Sequence, residues 1–222
     1  MNIAIDGPAG AGKSTVARKV AEQLGYIYID TGAMYRAVTL SALRNRISPG
    51  DAAALAKHTE SVRIRLQPGE NGQLVFLNDE DVTDLIRSRD VTLLVSKVAA
   101  NETVRSVLTD MQRKLADRKG VVMDGRDIGT SVLPDAELKI FLTASVQERA
   151  RRRFRESGIQ QGVTVEQLEK EIAERDRLDA EREVSPLVCA DDAIVIDSTS
   201  MPIEEVVQSI VALSRTKLAE AK

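Results

Sequence analysis

A chain of 222 residues, 43% hydrophobic and 29% charged, is long enough to bury a substantial core in water. A formal net charge of −3 argues against nucleic acid or an anionic membrane as partner, and no apolar run approaches the roughly 20 residues that span a bilayer. The single cysteine, Cys189, excludes an internal disulfide, and with one histidine there is no Cys/His metal cluster.

Asn2–Asp6 is the first of five short apolar runs that read as strands covered on both faces. The chain enters this strand at once, which leaves no room for a signal peptide and predicts a cytoplasmic protein. Gly7-Pro8-Ala9-Gly10-Ala11-Gly12-Lys13-Ser14 follows, then Thr15, with a helix predicted over Lys13–Leu24. The run fits the phosphate-loop template G-x-x-x-x-G-K-[ST] in its required strand–turn–helix setting. Glycines let the backbone curl so that successive N–H groups point at one anion, and the positive end of the helix aims at the same place. Lys13 adds a cation for the outer phosphates, and the Ser14 hydroxyl can ligate magnesium. Nucleoside triphosphate binding is predicted, but the motif is silent on its use.

The second strand, Tyr26–Asp30, leads to a helix over Ala33–Arg46, which Thr31 is expected to cap. In the polar helical stretch from Asp51 to Glu60, His58 reads as a solvated surface residue, so chemistry must rest on Lys, Arg, Asp and a metal. Ser61–Leu66 alternates, Pro68–Gly72 turns and Leu74–Asn78 continues, which predicts a β-hairpin. We expect it to form a lobe, residues 61–90, inserted into a core of residues 1–60 and 91–222 and holding a second substrate. A helix over Glu102–Arg118 and strands over Gly120–Asp124 and Leu138–Thr143 follow. Helices over Ser145–Glu156 and Thr164–Glu183 flank Gly158-Ile159-Gln160-Gln161-Gly162, and Thr164 with Gln167 forms a capping box. A strand, Ala193–Asp197, and a helix, Pro202–Leu218, close the chain. Strands alternating with helices predict a doubly wound α/β sheet.

Four strands end in an acid, where open parallel sheets bind their ligands. Asp6 and Asp197 read as turn formers. Asp30 and Asp124 precede Arg36 and Arg126, both on the rim where the phosphate loop opens. Arginine grips phosphate oxygens bidentately, so this pair points to a second anionic site. Arg149, Arg152 and Arg153 share a helix face at i, i+3 and i+4, as do Arg175, Asp179 and Arg182 at i, i+4 and i+7. Arg151 and Arg155 read as solvated. Two arginine faces joined by a Gly-flanked loop describe a hinged lid, about residues 150–165, that closes on phosphates and excludes water. Phosphoryl transfer needs this equipment, because its transition state spreads charge over the migrating oxygens.

Ile5–Ser14, Asp30-Thr31-Gly32-Ala33-Met34-Tyr35-Arg36, Asp124-Gly125-Arg126-Asp127-Ile128-Gly129-Thr130 and Arg175-Asp176-Arg177 resemble the bacterial cytidylate kinases of the nucleoside monophosphate kinase superfamily. The resemblance covers essentially the full length. It implies a P-loop kinase with a five-stranded parallel sheet covered by helices, an inserted monophosphate-binding lobe with a small antiparallel β element, and a helical lid. It implies transfer of the γ-phosphoryl group of ATP to CMP or dCMP, with Mg2+. By the same resemblance Arg36, Arg126 and Arg182 hold the acceptor phosphate, and Ser96, Arg105 and Asp127 read the cytosine edge. Asp179, aided by Arg175, takes the sugar hydroxyls, while Thr31 and Tyr35 line the acceptor pocket. Gly7 through Thr15 bind ATP, and Arg149, Arg152 and Arg153 supply lid charge to it. Lys13, Asp124, Arg126 and Arg182 are the implied catalytic set, with Asp124 orienting magnesium through water beside Ser14. A monomer is expected. Another P-loop kinase, acting on UMP, AMP or shikimate, is the alternative; an adenylate or shikimate kinase should lack the hairpin and the Asp124–Asp127 run. A regulatory NTPase is a further alternative, but a GTPase switch needs an Asn-Lys-x-Asp guanine reader that this chain lacks.

Overall fold

In chain order the first elements are β1 (Asn2–Asp6), α1 (Lys13–Leu24), β2 (Ile27–Asp30), α2 (Thr31–Arg44) and α3 (Ala52–Ser61). Next come β3 (Ile64–Gly69), β4 (Gly72–Leu77), β5 (Glu80–Asp81), α4 (Arg89–Ala99) and α5 (Glu102–Ala116). They are followed by β6 (Val121–Gly125), β7 (Leu138–Thr143), α6 (Val146–Arg153), α7 (Val165–Glu181), β8 (Ile194–Asp197) and α8 (Ile203–Glu220). The computed structural model describes residues 1–70, 72–158 and 162–220, and of 157 and 158 the backbone alone.

The five core strands form one parallel sheet in the order β2-β6-β1-β7-β8. Register aligns Asp30 with Asp124 and Asp6 with Gly125, so three strand-end carboxylates come to one rim. Ile3, Ile5, Val122, Ile140 and Leu142 are sealed under α1 and α8, while Ala4, Ile29 and Met123 face α5 and the turn after β6. Each such large side chain contributes about 1.5–3 kcal/mol when fully buried. The central strands therefore give the rim a rigid base. The edge strands differ from the expectation of cover on both faces: Ile27 is 60% and Val195 59% exposed. Each has a neighbour on one side only, and the helices pack over the middle of the sheet.

The hairpin closes with Gly69 opposite Gly72, and β5 adds a third antiparallel strand. Asn71, between them in sequence, lies outside the described residues. Val75, Leu77, Val82 and Ile86 pack on Ala33 and Ala37 of α2, which seats this small sheet against the core. Helix α4 has no counterpart among the predicted elements. Its buried Val91, Val95 and Val98 keep helical spacing, but three β-branched residues lower helix propensity and blur the pattern. His58 is half-buried and hydrogen-bonded to Ser41 Oγ at 2.8 Å, not a freely solvated side chain.

Helix α6 stops earlier than expected, at Arg153, and widens into a π-type turn over Phe154–Gly158. Ala150 packs against Leu168 and Ile172 of α7. The predicted Thr164–Gln167 capping box is present in both directions. The tip of the expected lid, residues 159–161, lies outside the described residues.

Candidate active site

The phosphate loop leaves β1 pressed against β7. At Gly7 (φ +149°) a Cβ would sit 1.9 Å from the Leu142 carbonyl oxygen, so only glycine fits. Helix α1 begins at Lys13 with no acid of its own in its first turn to offset its positive end. Lys13 is buried, and its Nζ donates to the Pro8 carbonyl at 2.8 Å. Burial, and after it the nearby Arg126 charge, pushes the Lys13 ammonium well below the usual lysine range, against the pull of Asp124 and Asp6. Ser14 Oγ donates to Asp124 Oδ2 at 2.9 Å. Burial, then repulsion from Asp30, pushes the Asp124 carboxyl up to about 7. Residues 9–16 of the loop and helix, with Asp124, Arg126, Arg152, Arg153 and Arg175, line a cavity of about 730 Å³.

A second pocket adjoins it. Thr31, Tyr35, Ser96, Arg105, Arg126, Asp127, Arg175, Asp179 and Arg182 converge there from α2, α4, α5, the turn after β6 and the end of α7. Asp127 accepts from Arg105 Nη2 at 2.5 Å and Arg182 Nη2 at 3.4 Å, and the Arg105 guanidinium lies over the Tyr35 ring. Asp179 accepts from Ser96 Oγ at 2.8 Å and Arg126 Nε at 2.9 Å. Burial pushes the Asp179 carboxyl up, but Arg126 and Arg175 together hold it below its usual range. Arg36 is the predicted acceptor residue outside this pocket. Its Nη1 donates to the Ile86 carbonyl and to Thr92 Oγ1, and it lines the donor cavity instead. Arg126 and Arg175 border both spaces.

A phosphate cradle fused to a charged second pocket is what a two-substrate kinase requires. The cytidylate kinase family model matches residues 3–216. The chain belongs to the cytidylate kinase family. A curated cytidylate kinase of Bacillus cereus (strain ATCC 10987) is 55% identical over 215 residues, covering 96% of this chain and 95% of the relative. One from Bacillus anthracis (strain CDC 684) matches equally, at 55% over the same shares. Among solved structures, a shikimate kinase from Bacteroides thetaiotaomicron aligns with TM-score 0.50 at 16% identity, over 97% of this chain and 98% of that one. A gluconokinase from Sinorhizobium meliloti aligns with TM-score 0.50 at 17% identity, over 99% and 95%. These last two speak for the P-loop kinase fold alone.

Two further residues of this family member, Thr31 and Asp6, differ from expectation. Asp30, not Thr31, caps α2, its Oδ1 accepting from Ala33 N at 2.9 Å, since the helix starts one residue after the strand. Thr31 Oγ1 instead donates to the Asp124 carbonyl. Thr31 also lies against Gly125, where a Cβ would stand 2.7 Å from its Oγ1, so the Asp-Gly-Arg-Asp run needs its glycine for close approach. Asp6 is no turn former: its buried carboxylate accepts from the Ile128 and Gly129 amides at 2.8 and 2.7 Å. Burial pushes the Asp6 carboxyl up to about 6 although those two amides pull it down. Asp197 does form a turn, accepting from Thr199 N and Oγ1.

The lid arginines divide. Arg149 is buried and spends its guanidinium on the carbonyls of Ala144 and Ala9 and on Asp176, 2.7 Å away. Arg152 reaches Glu148, the Ser198 carbonyl and, at 3.5 Å, the Ala11 carbonyl. Both therefore brace the phosphate loop, while Arg153 faces the cavities. Arg151 and Arg155 are exposed, as expected. Arg149→Met should leave Asp176 without its cation. The pair is not fully sheltered, so we expect a loss of about 2 kcal/mol and a melting temperature lower by roughly 4–8 °C, together with a raised KM for ATP. Unchanged melting would show the clamp to be idle. Tyr28 joins the site unannounced by the sequence: its hydroxyl donates to Asp124 Oδ1 at 3.0 Å. An aromatic inside an apolar strand gives no such signal in sequence.

Proposed function

We propose that the enzyme transfers the γ-phosphoryl group of ATP to CMP or dCMP. The observation that carries this reading is the pocket of nine converging acceptor residues that shares Arg126 and Arg175 with the phosphate-loop cavity. The loop amides, the α1 terminus and Lys13 hold the outer phosphates of ATP, with Arg153 above them. Arg126 and Arg182 hold the acceptor phosphate within the acceptor pocket, Arg36 adds its charge from the side of the donor cavity, and Arg175 spans the gap. An acceptor phosphate oxygen bonds to the γ-phosphorus as the bond from that phosphorus to the β,γ-bridging oxygen breaks. No nucleophile needs strong activation in this loose displacement, so positioning and positive charge supply the rate.

The base is chosen by donor–acceptor matching. Cytosine presents an amino donor beside two acceptors, which suits the Asp127 carboxylate with the Arg105 and Ser96 donors. Uracil would turn an oxygen toward Asp127, leaving two acceptors face to face. Asp179 accepts from the sugar hydroxyls, and Thr31 and Tyr35 form the pocket wall.

Ser14 and Asp124 fit a magnesium ion: both offer oxygen, they sit 2.9 Å apart, and burial has pushed up a carboxyl that a cation would ionise. Bound there, with Asp124 acting through water, Mg2+ would neutralise charge on the outer phosphates. The working parts are a core of residues 1–60 and 91–222, an inserted lobe of 61–90, none of whose residues lines the acceptor pocket itself, and a lid near 150–165. We take the enzyme to act as a monomer, and no helix among the described residues is long and apolar enough to cross a membrane. A cytoplasmic location is part of the same reading.

A panel of CMP, dCMP, UMP, AMP and shikimate with ATP and magnesium tests the reading. CMP and dCMP should show the highest kcat/KM, with UMP lower by roughly tenfold or more. Preferential use of AMP or shikimate would overturn it.

A further inference from the structure

Asp6 lies at the carboxyl end of the central strand, 4% exposed, and touches neither proposed substrate pocket. Its two carboxylate oxygens receive one backbone amide each, from Ile128 and Gly129. These are the two peptide groups that follow Asp127. From the other side, the Asp127 carbonyl accepts from the Ser131 and Val132 amides, closing the π-type turn. The backbone around Asp127 is thus pinned to the central, fully buried strand of the sheet by a doubly accepting carboxylate. Its side chain is held between Arg105 and Arg182.

We propose that Asp6 is a positioning residue for base selection, fixing the peptide after Asp127 and hence the line along which the Asp127 carboxylate meets the acceptor base. The role rests on CMP being the acceptor. Charge-assisted hydrogen bonds in a buried setting are the strong ones, and two of them on adjacent amides fix orientation as well as position. A neutral amide cannot replace this geometry: Asn offers one acceptor oxygen, and its NH2 group would face the second backbone N–H.

Asp6→Asn should therefore raise KM for CMP roughly tenfold while KM for ATP stays within about twofold. In an Asp127→Asn background the same substitution should add less than about twofold to KM for CMP, because the group it acts through is already altered. Asp6→Glu keeps the charge one methylene further out and should shift KM for CMP in the same direction by less. That variant carries the test if melting shows Asp6→Asn to be unfolded. An unchanged KM for CMP, a parallel rise in both KM values, or a full tenfold rise in the Asp127→Asn background overturns the proposal. If the wild-type enzyme does not phosphorylate CMP, the acceptor assignment fails instead, which the same assay reads independently.

Discussion

Lys13→Met should reduce kcat by roughly a thousandfold, the scale of losing one preorganised charge from a phosphoryl-transfer site. Lys13 is the cation built into the phosphate loop itself, and its hydrogen bond to the Pro8 carbonyl is one that an anionic phosphate would outcompete. The fold should survive. Burial and Arg126 push the ammonium well below its ordinary range, so the folded chain bears a cost for holding that charge. Methionine has similar length and no charge, which removes that cost without opening a cavity. Melting within a few degrees of wild type, with activity lost, is the expected pair of results. Near-normal turnover would remove Lys13 from the mechanism, and unfolding would show that its charge compensates Asp124 and Asp6 more than it suffers from Arg126.

Much of this site is local in sequence and was legible there. The phosphate loop and α1 occupy the predicted bounds because strand, glycines and helix start are consecutive. The Thr164–Gln167 box likewise needs only four residues to be recognised. What escaped depends on contacts between distant segments. Asp6 reaches amides 122 and 123 positions away, and Arg149 reaches Ala9 across 140. A carboxylate at a strand end and an arginine on a charged helix look alike in sequence whether they meet solvent or a buried peptide group. The pairing of Asp30 with Asp124 is similarly a product of strand order, since β2 lies beside β6 and not beside β1. The assignment of cytosine as the base also lay beyond spacing alone; residue chemistry makes Asp127, Arg105 and Ser96 suitable, and family membership supplies the choice.

Arg126→Ala should lower kcat/KM for CMP by roughly a thousandfold, with a much smaller change in KM for ATP. Arg126 stands where the two pockets join. Its Nε holds Asp179 Oδ2 at 2.9 Å, its Nη1 is 3.3 Å from the Gly125 carbonyl, and its charge is the largest electrostatic influence on Lys13 after burial. Removing it takes away one grip on the acceptor phosphate and loosens the carboxylate assigned to the sugar. Ser96 stays hydrogen-bonded to Asp179 and the Arg175 charge still attracts it, so the pocket should not collapse. Relief of Lys13 partly offsets the exposed carboxylate, and stability should change by no more than about 1–2 kcal/mol. Arg126→Lys separates charge from shape: a point charge keeps the attraction to phosphate but loses the planar fork. It should therefore recover part of kcat/KM yet fall short of wild type. Full recovery would mean that charge alone is used. Wild-type kinetics for Arg126→Ala would mean that the guanidinium does no more than pair with Asp179.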